Sequence, residues 1–214
     1  MDFSRRTFCT ACGAAVVLAA TDLFADDPAA RPLRVIAYNI YALKGWPHQR
    51  DSAKQAVAKG QMAERMAMEL ELYAPDIVTF SESPAEELTK QVARRLGMYH
   101  ARFSSGGNWP GTLLSRFKIV DSQNTPLDGP RPKDLFTRHW GRTTIQLPAG
   151  QSQLPSGQSL IVHSAHLYPG ADPARRLREI SAMLRSMKAD LTSGRSILLM
   201  GDQIRLALAR WVCL

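Results

Sequence analysis

Short β-branched runs recur along the chain, and between them apolar residues fall at helical spacing. Residues 33–40 (Leu-Arg-Val-Ile-Ala-Tyr-Asn-Ile) read as a strand by their β-branched content. Over residues 54–73, Met62, Met66, Leu70 and Tyr73 recur every three or four positions, with Glu64, Arg65 and Glu69 on other faces. That spacing predicts one helix, stopped by Pro75. Residues 76–80 predict a short buried strand that runs into Ser81 and Glu82. Residues 84–96 predict a helix with Pro84 near its first turn and Gly97 past its end. Strands are expected at 112–115 and 118–121, with a loop at 126–132. Residues 141–147 and 159–167 predict a strand pair, joined by a Gln/Ser/Pro/Gly-rich connection at 148–157. A helix at 173–191 and a strand at 196–200 follow. Strands and helices alternate without a sequence repeat, so the expected class is α/β or α+β, built as packed layers. The methionines are most simply core.

The first 25 residues follow a different rule. Arg5 and Arg6 precede Phe8, and an apolar stretch covers residues 14–20. A charged start, a short apolar core and small residues are the layout of an export signal. The adjacent arginines point to the twin-arginine route, which carries folded proteins. Cleavage is expected after Ala25, and residues 26–32 read as a linker. The competing reading is a buried N-terminal helix.

Composition adds limits. With 214 residues and 45% hydrophobic content, the chain suits one globular domain and not wholesale disorder. No apolar run reaches the ~18 residues of a membrane helix. Of three cysteines, Cys9 and Cys12 fall in the signal and Cys213 near the end, which excludes a dense disulfide framework. The net charge of +8 comes from Lys and Arg spread along the chain, a mild attraction for phosphates rather than a nucleic-acid patch.

Candidate chemistry sits at strand ends. Asn39, Glu82 and Asp202 each close a predicted strand, and His166 lies at the end of a fourth. Strand ends on one sheet edge are where α/β proteins gather their sites. Two carboxylates and an amide suit a hard divalent cation such as Mg²⁺. Each residue also has a plainer reading. Asn39 suits a turn, Glu82 a helix cap before Pro84, His166 a core histidine, and Gly201-Asp202 a common turn. His163, three residues before His166, faces the other way in a regular strand. His48 and His139 read as loop or surface residues. Arg138 and Arg142 read as solvated positions within reach of a phosphate. Loops at 46–48 and 106–110 are candidates to line a cleft.

Taken in order, these segments resemble the endonuclease/exonuclease/phosphatase superfamily, the deoxyribonuclease-like phosphoesterases. Residues 33–40 are similar to its strand ending in Asn, and 73–82 (YAPDIVTFSE) to its "PDIV…QE" element. Residues 111–119 (GTLLSRFKI) resemble "G…LSR…PI". Residues 160–167 (LIVHSAHL) resemble "…THL", and 197–202 (ILLMGD) the approach to "GDFN". The resemblance covers residues 33–202 and implies a four-layer α/β sandwich that performs metal-assisted phosphoester hydrolysis with Mg²⁺ or Mn²⁺. It implies Glu82 as the metal carboxylate and Asn39 as support for the metal or a phosphate oxygen. It implies His166 as a donor to the phosphate, and Asp202 as the group orienting water or a phosphate oxygen. Nucleic acid, phospholipid headgroups and sugar phosphates all suit such a core.

The chain departs from that pattern after Asp202. Gln203-Ile204 stand where the family has an aromatic and an Asn, and no terminal "S-D-H" follows before Leu214. Residues 203–214 are therefore expected to be a tail foreign to the domain, from a shifted frame or early stop. Without the Asp–His base, impaired activity is expected, the alternative being a catalytically inactive remnant.

Overall fold

The computed structural model describes residues 32–45, 47–148 and 159–202, and the backbone of Val16–Leu18. The export-signal reading, apart from those three residues, and the 203–214 tail lie outside the described residues. Nine strands and four α-helices are described. In chain order they are β1 (Val16–Leu18), β2 (Val35–Asn39), α1 (Asp51–Ala58), α2 (Met62–Glu71), β3 (Ile77–Ser81), α3 (Glu86–Leu96) and β4 (Tyr99–Phe103). They continue with β5 (Gly111–Ser115), β6 (Ile119–Asn124), β7 (Trp140–Gln146), β8 (Ser159–His166), α4 (Pro173–Thr192) and β9 (Ser196–Asp202).

The single helix expected over 54–73 is two. Gly60 adopts a left-handed φ of 66°, and the Gln61 amide returns to the Ala56 carbonyl, which ends α1 and restarts the chain as α2. Strand β4 has no counterpart among the expected elements. Its sequence, Tyr-His-Ala-Arg-Phe, buries only Ala101 and Phe103. Two buried positions among three polar or exposed ones give an edge strand little signal. The expected pair at 141–147 and 159–167 is present as β7 and β8, in antiparallel register from Trp140↔Ala165 to Gln146↔Ser159.

Two mixed sheets form, with orders β1-β2-β3-β5-β4 and β6-β7-β8-β9. Each contains one parallel pair, β2/β3 and β8/β9. A parallel pair needs a crossover. Helices α1 and α2 supply the first, and α4 supplies the second.

Three apolar clusters show the layering. Met66, Ala67 and Leu70 of α2 and Val92 and Ala93 of α3 pack on Ile36, Val78 and Phe80. Met183 and Met187 of α4 pack on Trp140, Ala165 and Leu167. Between the sheets, Ile77, Phe103 and Leu113 meet Ile145, Leu160, Val162 and Met200. Alternate residues of each strand thus face either the facing sheet or a helix layer. This is the four-layer α/β sandwich expected. Each fully buried large side chain contributes roughly 1.5–3 kcal/mol of transfer free energy.

Candidate phosphoester site

The two parallel pairs end at the same edge of the sandwich. Asn39 stands beside Ser81 in the β2/β3 register, and Glu82 is the next residue. His166 stands beside Asp202 in β8/β9. The Asn39 side chain joins the two sheets: its Nδ2 donates to Asp202 Oδ2 at 3.1 Å, while its Oδ1 accepts the Tyr41 amide at 3.1 Å. Asn39 is therefore both the turn residue of the plain reading and a link to a second sheet 163 residues away in sequence.

Glu82 has φ of 52°, an uncommon conformation for a non-glycine residue. The surroundings impose it. Its carbonyl accepts the Ala42 amide at 2.7 Å, and the Ser83 amide donates to the Pro110 carbonyl at 2.9 Å. The plain reading of Glu82 as a helix cap does not apply, since Ala85 occupies the α3 N-cap without a side-chain hydrogen bond. Strain held in place this way occurs where a side chain must be aimed.

Asp202 follows Gly201, whose φ is 126°. A Cβ at Gly201 would lie 2.0 Å from the Ala165 carbonyl oxygen, so only glycine fits. Asp202 is 39% exposed, and its Oδ2 lies 3.8 Å from Nε2 of the buried His166. That separation is an electrostatic contact, not a hydrogen bond. Burial pushes the His166 pKa down. Asp202 opposes that shift, and Arg138 adds to it. The His166 amide donates to the His139 carbonyl at 2.9 Å, which fixes the end of β8.

Two neighbours correct the sequence reading. His139, expected at the surface or in a loop, is fully buried beside the site, with Nε2 3.0 Å from Ser164 Oγ and its ring edge-on to His166. Burial pushes its pKa down to about 3. Its place between Phe103, Gly111 and His166 arises from tertiary packing, which no local spacing reveals. Arg138, expected to be solvated, is half-buried with its guanidinium 4.7 Å from the centroid of the Trp109 ring. Burial lowers its pKa, and nearby Glu82 opposes that shift. Its Nε has no partner among the described residues. The 106–110 loop meets Arg138 through Trp109 and does not line the cleft at Asn39 and Glu82.

The remaining candidates lie elsewhere. His163 faces away from His166, toward α4. It is buried, accepts from Trp140 Nε1 at 3.2 Å, and is pushed by burial down to about 4. Arg142 forks onto Asp190 at 2.8 and 3.1 Å and pairs with Asp121. His48 lies half-buried in a turn with its ring 5.5 Å from that of Tyr41.

Asn39 and Glu82 border a cleft of about 520 Å³, walled also by Tyr38, Tyr41, Met62 and Met66. Among the described residues, no three His, Cys, Asp or Glu side chains gather into a metal cage. The donor set instead fits a magnesium-type ion. Such an ion keeps several waters and binds through one or two carboxylates plus substrate oxygens. Glu82 offers the carboxylate, and Asn39 Oδ1, on the same cleft, retains a second lone pair.

No family model matches the chain, and no curated protein matches it. Solved structures do. The chain superposes on a humanised D. rerio TDP2 carrying 14 mutations with TM-score 0.56 and 18% identity, over 81% of this chain and 67% of that one. It superposes on the human Nocturnin catalytic domain with bound sulfate at 0.56 and 18%, over 89% and 67%. A third match is an endonuclease/exonuclease/phosphatase family protein from Bacteroides thetaiotaomicron, at 0.51 and 15%, over 70% and 58%. The chain thus spans about two thirds or less of these structures. The fold is of the deoxyribonuclease-like, endonuclease/exonuclease/phosphatase type.

Proposed function

We propose that this chain is a divalent-metal-dependent phosphoesterase whose site is the edge where Asn39, Glu82, His166 and Asp202 meet. The observation that carries this reading is the Asn39–Asp202 hydrogen bond, which draws the ends of both parallel pairs into one polar edge. Glu82, with Asn39, would hold Mg²⁺, or Mn²⁺ in its place, which would supply Lewis-acid stabilisation of phosphate charge. Asp202, half-exposed and held by Asn39, accepts from the attacking water and orients it toward phosphorus. His166 donates a hydrogen bond to a phosphate oxygen, and the Arg138 guanidinium neutralises charge on a second one. Water adds to phosphorus as the ester oxygen leaves; the proton that the water loses passes to Asp202 and then to solvent, and the leaving oxygen takes a proton from solvent.

The substrate is a phosphoester of the nucleic-acid, phospholipid-headgroup or sugar-phosphate type. The sulfate on Nocturnin is a tetrahedral anion of the same shape. The Arg5-Arg6 signal directs the folded chain out of the cytoplasm by the twin-arginine route, to the periplasm or beyond. Ile204, standing where the family has an Asn, lowers the turnover expected.

The test is hydrolysis of bis(p-nitrophenyl) phosphate by the full chain with Mg²⁺ or Mn²⁺, and with EDTA. Release of nitrophenol that EDTA abolishes and metal restores supports the reading. Absence of turnover from a cooperatively folded chain replaces it with the inactive-remnant reading.

A further inference from the structure

The structure assigns to Glu179 of α4 the role of positioning residue for this site, and this inference rests on the phosphoesterase reading. Glu179 is fully buried, in a helix whose other buried side chains are apolar. Its two carboxylate oxygens accept from two separate loops: Oε1 from the Phe136 amide at 2.7 Å and Oε2 from the Tyr168 amide at 2.8 Å. Those loops carry the site. Phe136 lies two residues before Arg138, and Tyr168 lies two residues after His166.

The surrounding bonds make one unit of these segments. Phe136 has φ of 51°, a conformation that persists only where the surroundings dictate it. Its amide is tied to Glu179, and the chain is tied again where His139 pairs with Ser105 and accepts from the His166 amide. Arg138 lies between the two ties. On the other side the Leu167 amide donates to the Asp202 carbonyl at 3.2 Å. Helix α4 adds Arg175 on Thr137 Oγ1 and over the Tyr168 ring, at 3.2 and 3.9 Å. A carboxylate suits this place because both oxygens accept. A glutamine of equal size offers one acceptor and turns an N–H toward the other amide. Glu179 thus fixes Arg138 relative to His166 without reaching substrate itself.

The test compares wild type, Glu179→Gln, Arg138→Ala and the double variant as full chains. Hydrogen exchange reads the tether without any need for activity. Glu179→Gln is expected to raise exchange in the 134–139 and 166–170 segments together, while β3 and β5 keep their protection. Kinetics on bis(p-nitrophenyl) phosphate read the consequence. Glu179→Gln is expected to lower kcat about 10- to 100-fold, the scale of a misplaced catalytic group, and to lower it by less than 3-fold when Arg138 is already Ala. Unchanged exchange in either segment overturns the proposal, as does equal loss in both backgrounds. If Glu179→Gln does not fold, Glu179→Ala read by the same exchange experiment decides on the same outcomes. If wild type has no turnover, the phosphoesterase reading fails, and the exchange result still decides the tether.

Discussion

Two crossovers build this molecule, and they contribute to the shared edge in different ways. The first, from β2 through α1 and α2 to β3, delivers Asn39 and Glu82 to a cleft, Asn39 fixed through the Tyr41 amide and Glu82 through backbone hydrogen bonds at a φ of 52°. The second, from β8 through α4 to β9, delivers His166 and Asp202 beside the buried polar groups Glu179 and His139, and α4 is further tied to its sheet by the Arg142–Asp190 fork. On the proposed reading, the first half would hold the metal and the second would orient water and phosphate. Similar topology therefore does not mean similar chemistry, because the helix layer of the first sheet is attached by apolar packing, its exposed ion pairs lying within α3 and between α3 and α2.

The sharpest break of that comparison is Glu82→Gln. It removes the carboxylate of the first half while leaving the second intact. On the proposed reading kcat falls on the order of 10³-fold, the several kcal/mol a metal ion supplies. Stability stays near wild type, because Glu82 is half-exposed. Metal-dependent rates and a urea transition on the same preparations check both halves of this expectation. A wild-type rate for Glu82→Gln would remove Glu82 from the site.

Gly201→Ala attacks the second half through the backbone. The new Cβ would meet the Ala165 carbonyl at 2.0 Å at a φ of 126°. Neither the β8/β9 register nor Asp202 can stay in place, and a loss of about 3 kcal/mol is expected. Chemical denaturation measures it. A variant within 1 kcal/mol of wild type would mean that β9 slides without cost.

Acid separates the halves by their histidines. His139 and His163 are buried against sheet β6–β9, while His100 on β4 of the other sheet is partly exposed and only moved downward by burial. Protonating His163 would turn its Nδ1 into a donor facing the Trp140 N–H, which is also a donor. Arg142 opposes the new charge and Asp190 favours it; around His139, His166 and Arg102 oppose it. Both folded-state values lie below the ordinary 6.5, so folding favours the neutral rings. Their stability contribution is complete above pH 6.5 and declines as pH falls toward about 4 for His163 and about 3 for His139. Each costs about 1.4 kcal/mol per pH unit in that window. Hydrogen exchange between pH 7 and 5 is expected to loosen β7 and β8 before β3 and β5. Uniform loosening would contradict the assignment.

How much of this was legible in the sequence differs between the halves for the same reason. The strand-end residues Asn39, Glu82, His166 and Asp202 were readable because each follows a β-branched run and a short motif. The structure brings Asn39 and His166 each into contact with Asp202 and places Glu82 on the same cleft as Asn39. The supports were not readable. Glu179 looks like an ordinary polar residue in a charged helix, and its burial depends on which face of α4 meets the 135–138 loop. His139 and Arg138 precede β7 by one or two residues, where pattern gives no face. The break at Gly60 was visible as a glycine, but helical spacing on both sides hid it.

The smallest test concerns how α4 is fastened. Arg142, 12% exposed, forks onto Asp190, 13% exposed, and that hydrogen bond holds the Asp190 carboxyl below the usual carboxylate range. Lysine keeps the charge but cannot make two parallel N–H bonds. Arg142→Lys is therefore expected to cost about 1 kcal/mol at pH 7, more than an exposed pair yields. The sign of its pH dependence follows from Asp190. A lowered folded-state value means the bond stabilises fully above the ordinary Asp value of 3.8 and is lost as pH falls through the depressed one. The gap between wild type and Arg142→Lys should hold from pH 7 to 5 and close below about 4. Urea midpoints across that range measure it. A gap that persists in acid would mean that the arginine fastens α4 by packing its methylenes rather than by its fork, leaving the two halves more alike than their hydrogen bonds suggest.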